Sequence, residues 1–164
     1  MLRIAGIEKE SITDGVGIRY TIFTQGCKHN CLGCHNPETH DIYGGYNISI
    51  DEIIEDLKSN PLLDGVTLSG GDPFYQSRKC IELINRIKNE VGHLNIWAYS
   101  GFKYEEITND SEMLEMLKLV DVLVDGKFVI DKRNVEGKFK GSDNQKIIDV
   151  KQSICNNKII NYNF

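Results

Sequence analysis

Three of the chain's five cysteines fall within ten residues, "CKHNCLGCHN", from Cys27 to Asn36, together with His29 and His35. The spacing is Cys27-x3-Cys31-x2-Cys34. Clustered thiols of this kind bind soft metals or exchange electrons as a dithiol. A structural zinc takes four ligands, usually from two knuckles, and no second Cys-x2-Cys is present. His29 or His35 would have to complete it, closing a tetrahedron within about eight residues. Cys31-Leu32-Gly33-Cys34 has dithiol spacing but leaves Cys27 without a role. An iron–sulfur cluster uses all three thiolates. Four-iron clusters are usually held by four cysteines, so three on one loop leave one iron open. Cys80 falls on the apolar face of a helical pattern, where a free cysteine behaves as a small hydrophobe, and Cys155 sits near a polar tail. A zinc knuckle serving as an interaction module, a dithiol and an open cluster all stand as readings of these residues.

Other chemistry-bearing residues follow strand-like segments. "SGGDP" (69–73) places Gly70 and Gly71, which lack a Cβ and admit close approach of a ligand to the backbone, beside Asp72. The same string is also ordinary strand-to-helix turn chemistry. Ser100-Gly101 and Asp125-Gly126-Lys127 are similarly placed. The opposite charges of Asp125 and Lys127 read either as a surface ion pair at a turn or as part of a binding site.

The elements that must position these residues alternate. "IRYTIFTQG" (18–26) is a β-rich strand running into the cysteine loop. "SIDEIIEDLK" (49–58) is a helix with Ser49 at its N-cap, Glu52 three residues on, and an apolar face of Ile50, Ile53, Ile54 and Leu57. Strand 65–71, helix 77–91, strand 95–101, helix 111–120 and strand 120–126 follow, and 144–154 reads as a last strand. Such alternation predicts βαβ units and a mainly parallel sheet in an α/β fold. Ligands in such folds sit beyond the carboxyl ends of the strands, so four loops should meet on one rim. A closed eight-stranded barrel takes about 250 residues. This chain of 164 residues therefore predicts an open, partial βα barrel in a single domain spanning 1–164, with its core at about 5–150.

A net charge of −5 argues against a nucleic-acid surface. The basic stretch from Lys127 to Lys140, with Arg133, reads as a solvated loop face or an anion contact. No apolar run approaches the ~18 residues of a membrane span, and "MLRIAGIEKE" has no continuous apolar core of a secretory signal. No membrane partner is expected and a cytoplasmic location is. In that reducing compartment clustered cysteines bind metals or react rather than pair.

The cysteine loop resembles the signature of the radical S-adenosylmethionine (SAM) superfamily. The longer string "TDGVGIRYTIFTQGCKHNCLGCHN" (13–36) is similar to its glycyl-radical-enzyme activases, and "SGGDP" to their Gly-Gly-Glu/Asp-Pro motif. "GSDNQKIIDV" (141–150) resembles a segment of the branch acting on anaerobic (class III) ribonucleoside-triphosphate reductase, and the short chain fits that branch. Gly33 stands where many superfamily loops carry an aromatic residue, and Val16 where activases often have Pro.

The resemblance implies an oxidoreductase of the radical SAM type. It implies a [4Fe–4S] cluster on Cys27, Cys31 and Cys34, SAM on the open iron, and glycyl radical formation on that reductase. The cofactor-binding residues it implies are Gly33, Cys34 and His35 near the adenine, Asn36 hydrogen-bonding within the same turn, and Gly70, Gly71 and Asp72 near the SAM ammonium. Ser100, Asp125 and Lys127 would border the site. The implied partners are the reductase and an electron donor such as flavodoxin or ferredoxin. An activase of another glycyl radical enzyme, such as pyruvate formate-lyase, is the nearest alternative.

Overall fold

The computed structural model describes residues 1–163. Seven strands form one sheet: β1 (Leu2–Ser11), β2 (Arg19–Thr24), β3 (Tyr46–Ile48), β4 (Gly65–Gly70), β5 (Asn95–Tyr99), β6 (Val122–Asp125) and β7 (Lys146–Asp149). Their order is β3-β1-β2-β4-β5-β6-β7. The central strands β2, β4, β5 and β6 run parallel. β1, β3 and β7 join antiparallel, so the parallel arrangement expected from the sequence holds for the centre and not for the edges. The reason is the connections. A parallel partner needs a long crossover, which helices supply between the central strands, whereas β1 turns directly into β2.

The crossovers are α1 (Ile50–Ser59), α2 (Ser77–Glu90), and the pair α3 (Tyr104–Thr108) and α4 (Ser111–Leu117); α5 (Val150–Asn156) follows β7. The Ser49 side chain accepts the Glu52 N–H at 3.1 Å, and α1 buries the four apolar residues of its predicted face. α2 buries Cys80, Leu83, Ile84 and Ile87. These pack on Tyr20, Ile22, Val66, Leu68, Ile96 and Ala98 of the sheet. Burial of each large aliphatic side chain contributes roughly 1.5–3 kcal/mol. The segment 144–154 is not one strand. Asp149 ends β7 and accepts the Gln152 N–H at 3.1 Å, capping α5 instead.

The opposite face of the sheet is covered by loops and the tail. Trp97 meets Phe139 and Tyr162 edge-on, with ring centroids 5.4 and 5.5 Å apart. Beside them Arg19 is fully buried at the start of β2. Its guanidinium donates to Thr67 Oγ1 and to the carbonyls of Val16, Val66 and Asn95, and stands 5.4 Å from the Trp97 ring centroid. Burial lowers its pKa to about 10. This packing runs from Arg19 at the start of β2 to Tyr99 and Phe139, which also border the site at the carboxyl ends. Among the described residues no helix is long and apolar enough to cross a membrane.

Candidate metal centre

Because β2, β4, β5 and β6 are parallel, the loops that leave their carboxyl ends share one rim. The cysteine loop leaves β2 and is closed at its base by main-chain bonds, Gly26 N–H to Thr39 O at 2.7 Å and Cys27 N–H to His40 O at 3.2 Å. Gln25 Nε2 adds bonds to the carbonyls of Glu38 and Asp41. Within the loop Cys34 N–H donates to Cys31 O at 3.2 Å. Asn36 caps the following turn, its carbonyl accepting from both the N–H and the hydroxyl of Thr39.

Cys27, Cys31 and Cys34 are free and half-buried, and all three line one cavity of about 140 Å³ with His29, His40, Gly70 and Gly71. Among the described residues no three His, Cys, Asp or Glu side chains converge as the ligands of a single ion. Thiols set around a void suit a cluster, whose cysteines bind different irons, better than one zinc. Burial pushes the Cys27 thiol up to about 11, against the pull of the His29 backbone N–H. Cys80 is fully buried, its thiol facing the Pro73 carbonyl at 3.5 Å, and Cys155 is exposed on α5. The residues present fit a [4Fe–4S] group carried on three thiolates.

The glycines of β4 approach the chain's own backbone. Gly70 has φ +95°, and a Cβ there would lie 2.4 Å from Thr24 N. A Cβ on Gly71 would meet Gly26 O at 2.5 Å. The lack of side chains therefore seats the "SGGDP" turn on the root of the cysteine loop, where Gly71 N–H donates to Thr24 O and Asp72 N–H to Gly26 O.

Asp72, which the resemblance places near the ammonium beside the carbonyls of Gly70 and Gly71, has both carboxylate oxygens engaged within the protein. It is fully buried, and its Oδ2 takes His29 Nε2 at 2.6 Å, Ser100 Oγ at 2.8 Å and Gly101 N–H at 3.0 Å. Its Oδ1 takes Phe74 N–H at 3.0 Å. The carboxylate is thus the junction of three rim loops. The His29 ring is further held between Tyr75 and Phe102. The sequence offers His29 only as a ligand candidate; a His two residues after Cys27 gives no local sign of a partner beyond another strand.

Asp125 and Lys127 differ in burial but border one cavity next to that of the thiols. Asp125 is buried, accepting Tyr104 N–H at 2.8 Å and Lys146 N–H at 3.2 Å. Burial raises its pKa above the ordinary carboxylate value, opposed by those two N–H groups. Lys127 is exposed on the wall of that cavity. Ser100 lines the thiol cavity itself and donates to Asp72 Oδ2. Gly33 and His35 are exposed, and the His35 ring lies 5.1 Å from that of Phe128.

A second cavity, of about 360 Å³, opens beside the cysteines. Cys34, Ser69, Tyr99, Phe128 and Gln145 line both; Thr13, Asp14 and Phe139 lie on the far wall. Phe128 and Gln145 carried no assignment at the sequence level. Gln145 belongs to "GSDNQ", where its amide orders the loop: Oε1 accepts the N–H groups of Gly141 and Ser142, and Nε2 donates to Gly126 O.

Residues 13–148 match the family model described as a 4Fe-4S single cluster domain. The chain is 35% identical over 142 residues to the anaerobic ribonucleoside-triphosphate reductase-activating protein of Escherichia coli strain K12, covering 83% of this chain and 91% of that one. The protein of the same name from Enterobacteria phage T4 is 37% identical over 140 residues, covering 82% and 85%. That of Vibrio cholerae is 35% identical over 142 residues, covering 83% and 90%.

Proposed function

Since the chain belongs to the family of anaerobic ribonucleoside-triphosphate reductase-activating proteins, we propose that it is a radical SAM activase that forms the glycyl radical of that reductase. The observation that carries this reading is the set of three thiols on one cavity at the strand ends, with the remaining two cysteines turned elsewhere. Cys27, Cys31 and Cys34 would hold a [4Fe–4S] cluster, leaving one iron for the amino and carboxylate groups of SAM. When bound and reduced, the group supplies the electron that cleaves SAM to methionine and a deoxyadenosyl radical, which takes a hydrogen atom from a glycine Cα.

The chain's own residues bind, orient and exclude water. Gly70 and Gly71 line the cavity beside the thiols, where main-chain acceptors suit the SAM ammonium. Asp72 sets the position of that turn rather than contacting SAM. Gly33, Cys34, His35 and Asn36 form the wall toward the adenine, with His35 backed by Phe128. The adjoining cavity between Asp14, Tyr99 and Phe139 is the room for a glycine-bearing loop, whose docking would seal the site from water. The sheet is then the open, partial barrel of the radical SAM type, in a single cytoplasmic domain served by a donor such as flavodoxin or ferredoxin.

The test is anaerobic reconstitution with iron and sulfide. The protein is then mixed with the anaerobic reductase, SAM and a reductant, and observed by electron paramagnetic resonance. A glycyl radical doublet that requires all components is the expected result. A colourless protein holding one zinc per chain and yielding no radical would overturn the reading. A doublet on pyruvate formate-lyase in place of the reductase would move it to the other activase branch.

A further inference from the structure

Beside the cysteine loop lies a cavity of about 500 Å³ whose wall carries Lys103, Lys127, Lys132 and Lys146. Among the described residues none of these four ammonium groups lies within ion-pair distance of a carboxylate. The carboxylate of Asp125 at its base is spent on main-chain N–H groups. The segment 126–146 bears six cations and three carboxylates in a chain whose net charge is −5. Four lysines against two carboxylates, Asp125 and Glu106, leave this concavity with an excess of positive charge, which favours an anionic occupant.

The position of this cavity relates it to the cluster site. It shares Gly101 and Gly126 with the cavity that the three thiols line. The site for a glycine loop opens instead through Cys34, Ser69, Tyr99, Phe128 and Gln145. The thiol-lined cavity therefore has two neighbours with different walls, one aromatic and polar, one basic. A protein substrate on the first leaves the second free.

We propose that the lysine-lined cavity is the docking surface of an acidic electron-carrier protein, an inference that rests on the radical reading above. One electron leaves the carrier's reduced cofactor and enters the iron–sulfur group; no bond is made or broken at this surface. Rim charges of this kind steer encounter and set salt dependence more than they build a permanent complex, which suits a carrier that must leave after each delivery. A small phosphate fits the wall less well. Glu106 lines the same cavity, and the buried Asn144 Oδ1 is an acceptor without a partner, so two groups on the wall would repel it.

The experiment uses the cluster-loaded protein and flavodoxin as the probe. Affinity is read by calorimetry, and SAM cleavage is driven in parallel by reduced flavodoxin and by dithionite. Lys132→Glu with Lys146→Glu, and separately Lys103→Glu, should weaken flavodoxin binding and slow flavodoxin-driven cleavage by about tenfold at low ionic strength. Dithionite-driven cleavage and iron content should stay at the wild-type level. Wild-type affinity should fall as salt is added, and Lys132→Arg with Lys146→Arg should bind as wild type does. Unchanged flavodoxin affinity in the Glu variants overturns the proposal, as does equal loss with both reductants at full iron content. Loss of inorganic pyrophosphate binding with flavodoxin binding intact overturns it in favour of a small-anion site. If the wild type cleaves no SAM even with dithionite, the radical reading fails, while calorimetry still decides the docking surface.

Discussion

His29 Nε2 and Asp72 Oδ2 lie 2.6 Å apart, although 43 residues separate them in sequence. Both side chains are shielded from solvent, at 5% and 0% exposure. Since Oδ2 also accepts from Gly101 N–H, it acts as an acceptor and the His29 ring nitrogen carries the shared hydrogen. One carboxylate oxygen thereby fixes the cysteine loop, the β4 turn and the β5 turn relative to one another.

If the pair positions the cysteine loop rather than ligating, His29→Ala should leave iron and sulfide per chain at the wild-type level. SAM cleavage should fall about tenfold to a hundredfold, the effect of small misplacements of reacting groups. Asp72→Asn should fall further, because an amide has one acceptor oxygen where the carboxylate serves four donors. Iron loss in step with activity would instead make His29 part of the metal-holding set.

Cys27→Ala, Cys31→Ala and Cys34→Ala should each abolish SAM cleavage and lower iron content. Cys155→Ala should change neither, because its side chain is exposed and remote from the cavity. Cys80→Ala should keep the cluster and lose about 1 kcal/mol of stability through the small void left in a packed core. Iron analysis with thermal unfolding separates the two effects. Cluster loss in Cys155→Ala as complete as in Cys27→Ala would refute the three-thiolate assignment.

What the sequence disclosed and what it hid differ for physical reasons. β2, β4, β5 and β6 and the two longer crossover helices were legible because periodicity records burial along one element. The edge pairings of β1, β3 and β7 were not, since local pattern does not encode which strand a neighbour will be. The cysteines were legible because their spacing is itself the signal. The bonds that Asp72 accepts from His29, Ser100 and Gly101 were not legible, because only the fold brings those partners in.

Gly71→Ala should act on the cysteine loop and not on SAM alone. Its Cβ would lie 2.5 Å from Gly26 O and 2.9 Å from Thr39 O, both main-chain atoms that cannot swing aside. Reconstituted iron per chain should fall together with SAM affinity. Full iron content with weakened SAM binding would mean that the turn yields without moving the loop, and that the glycine serves the ligand directly.

Arg19 offers a test at the other end of the strands. It is fully buried, among the described residues it has no carboxylate partner, and its charge is spread over one hydroxyl, three carbonyls and the Trp97 ring. Arg19→Met fills similar volume but leaves those acceptors without their donors. The expected loss is about 2–4 kcal/mol, or roughly 5–15 °C in Tm for a domain of this size. Arg19→Lys should recover part of it, since one ammonium cannot reach every acceptor the guanidinium fork serves. Because Arg19 opens β2 and Cys27 lies just beyond its far end, iron content and SAM cleavage measured well below Tm should stay at the wild-type level. A specific loss of cleavage with Tm unchanged would place Arg19 in the binding face and not in the scaffold.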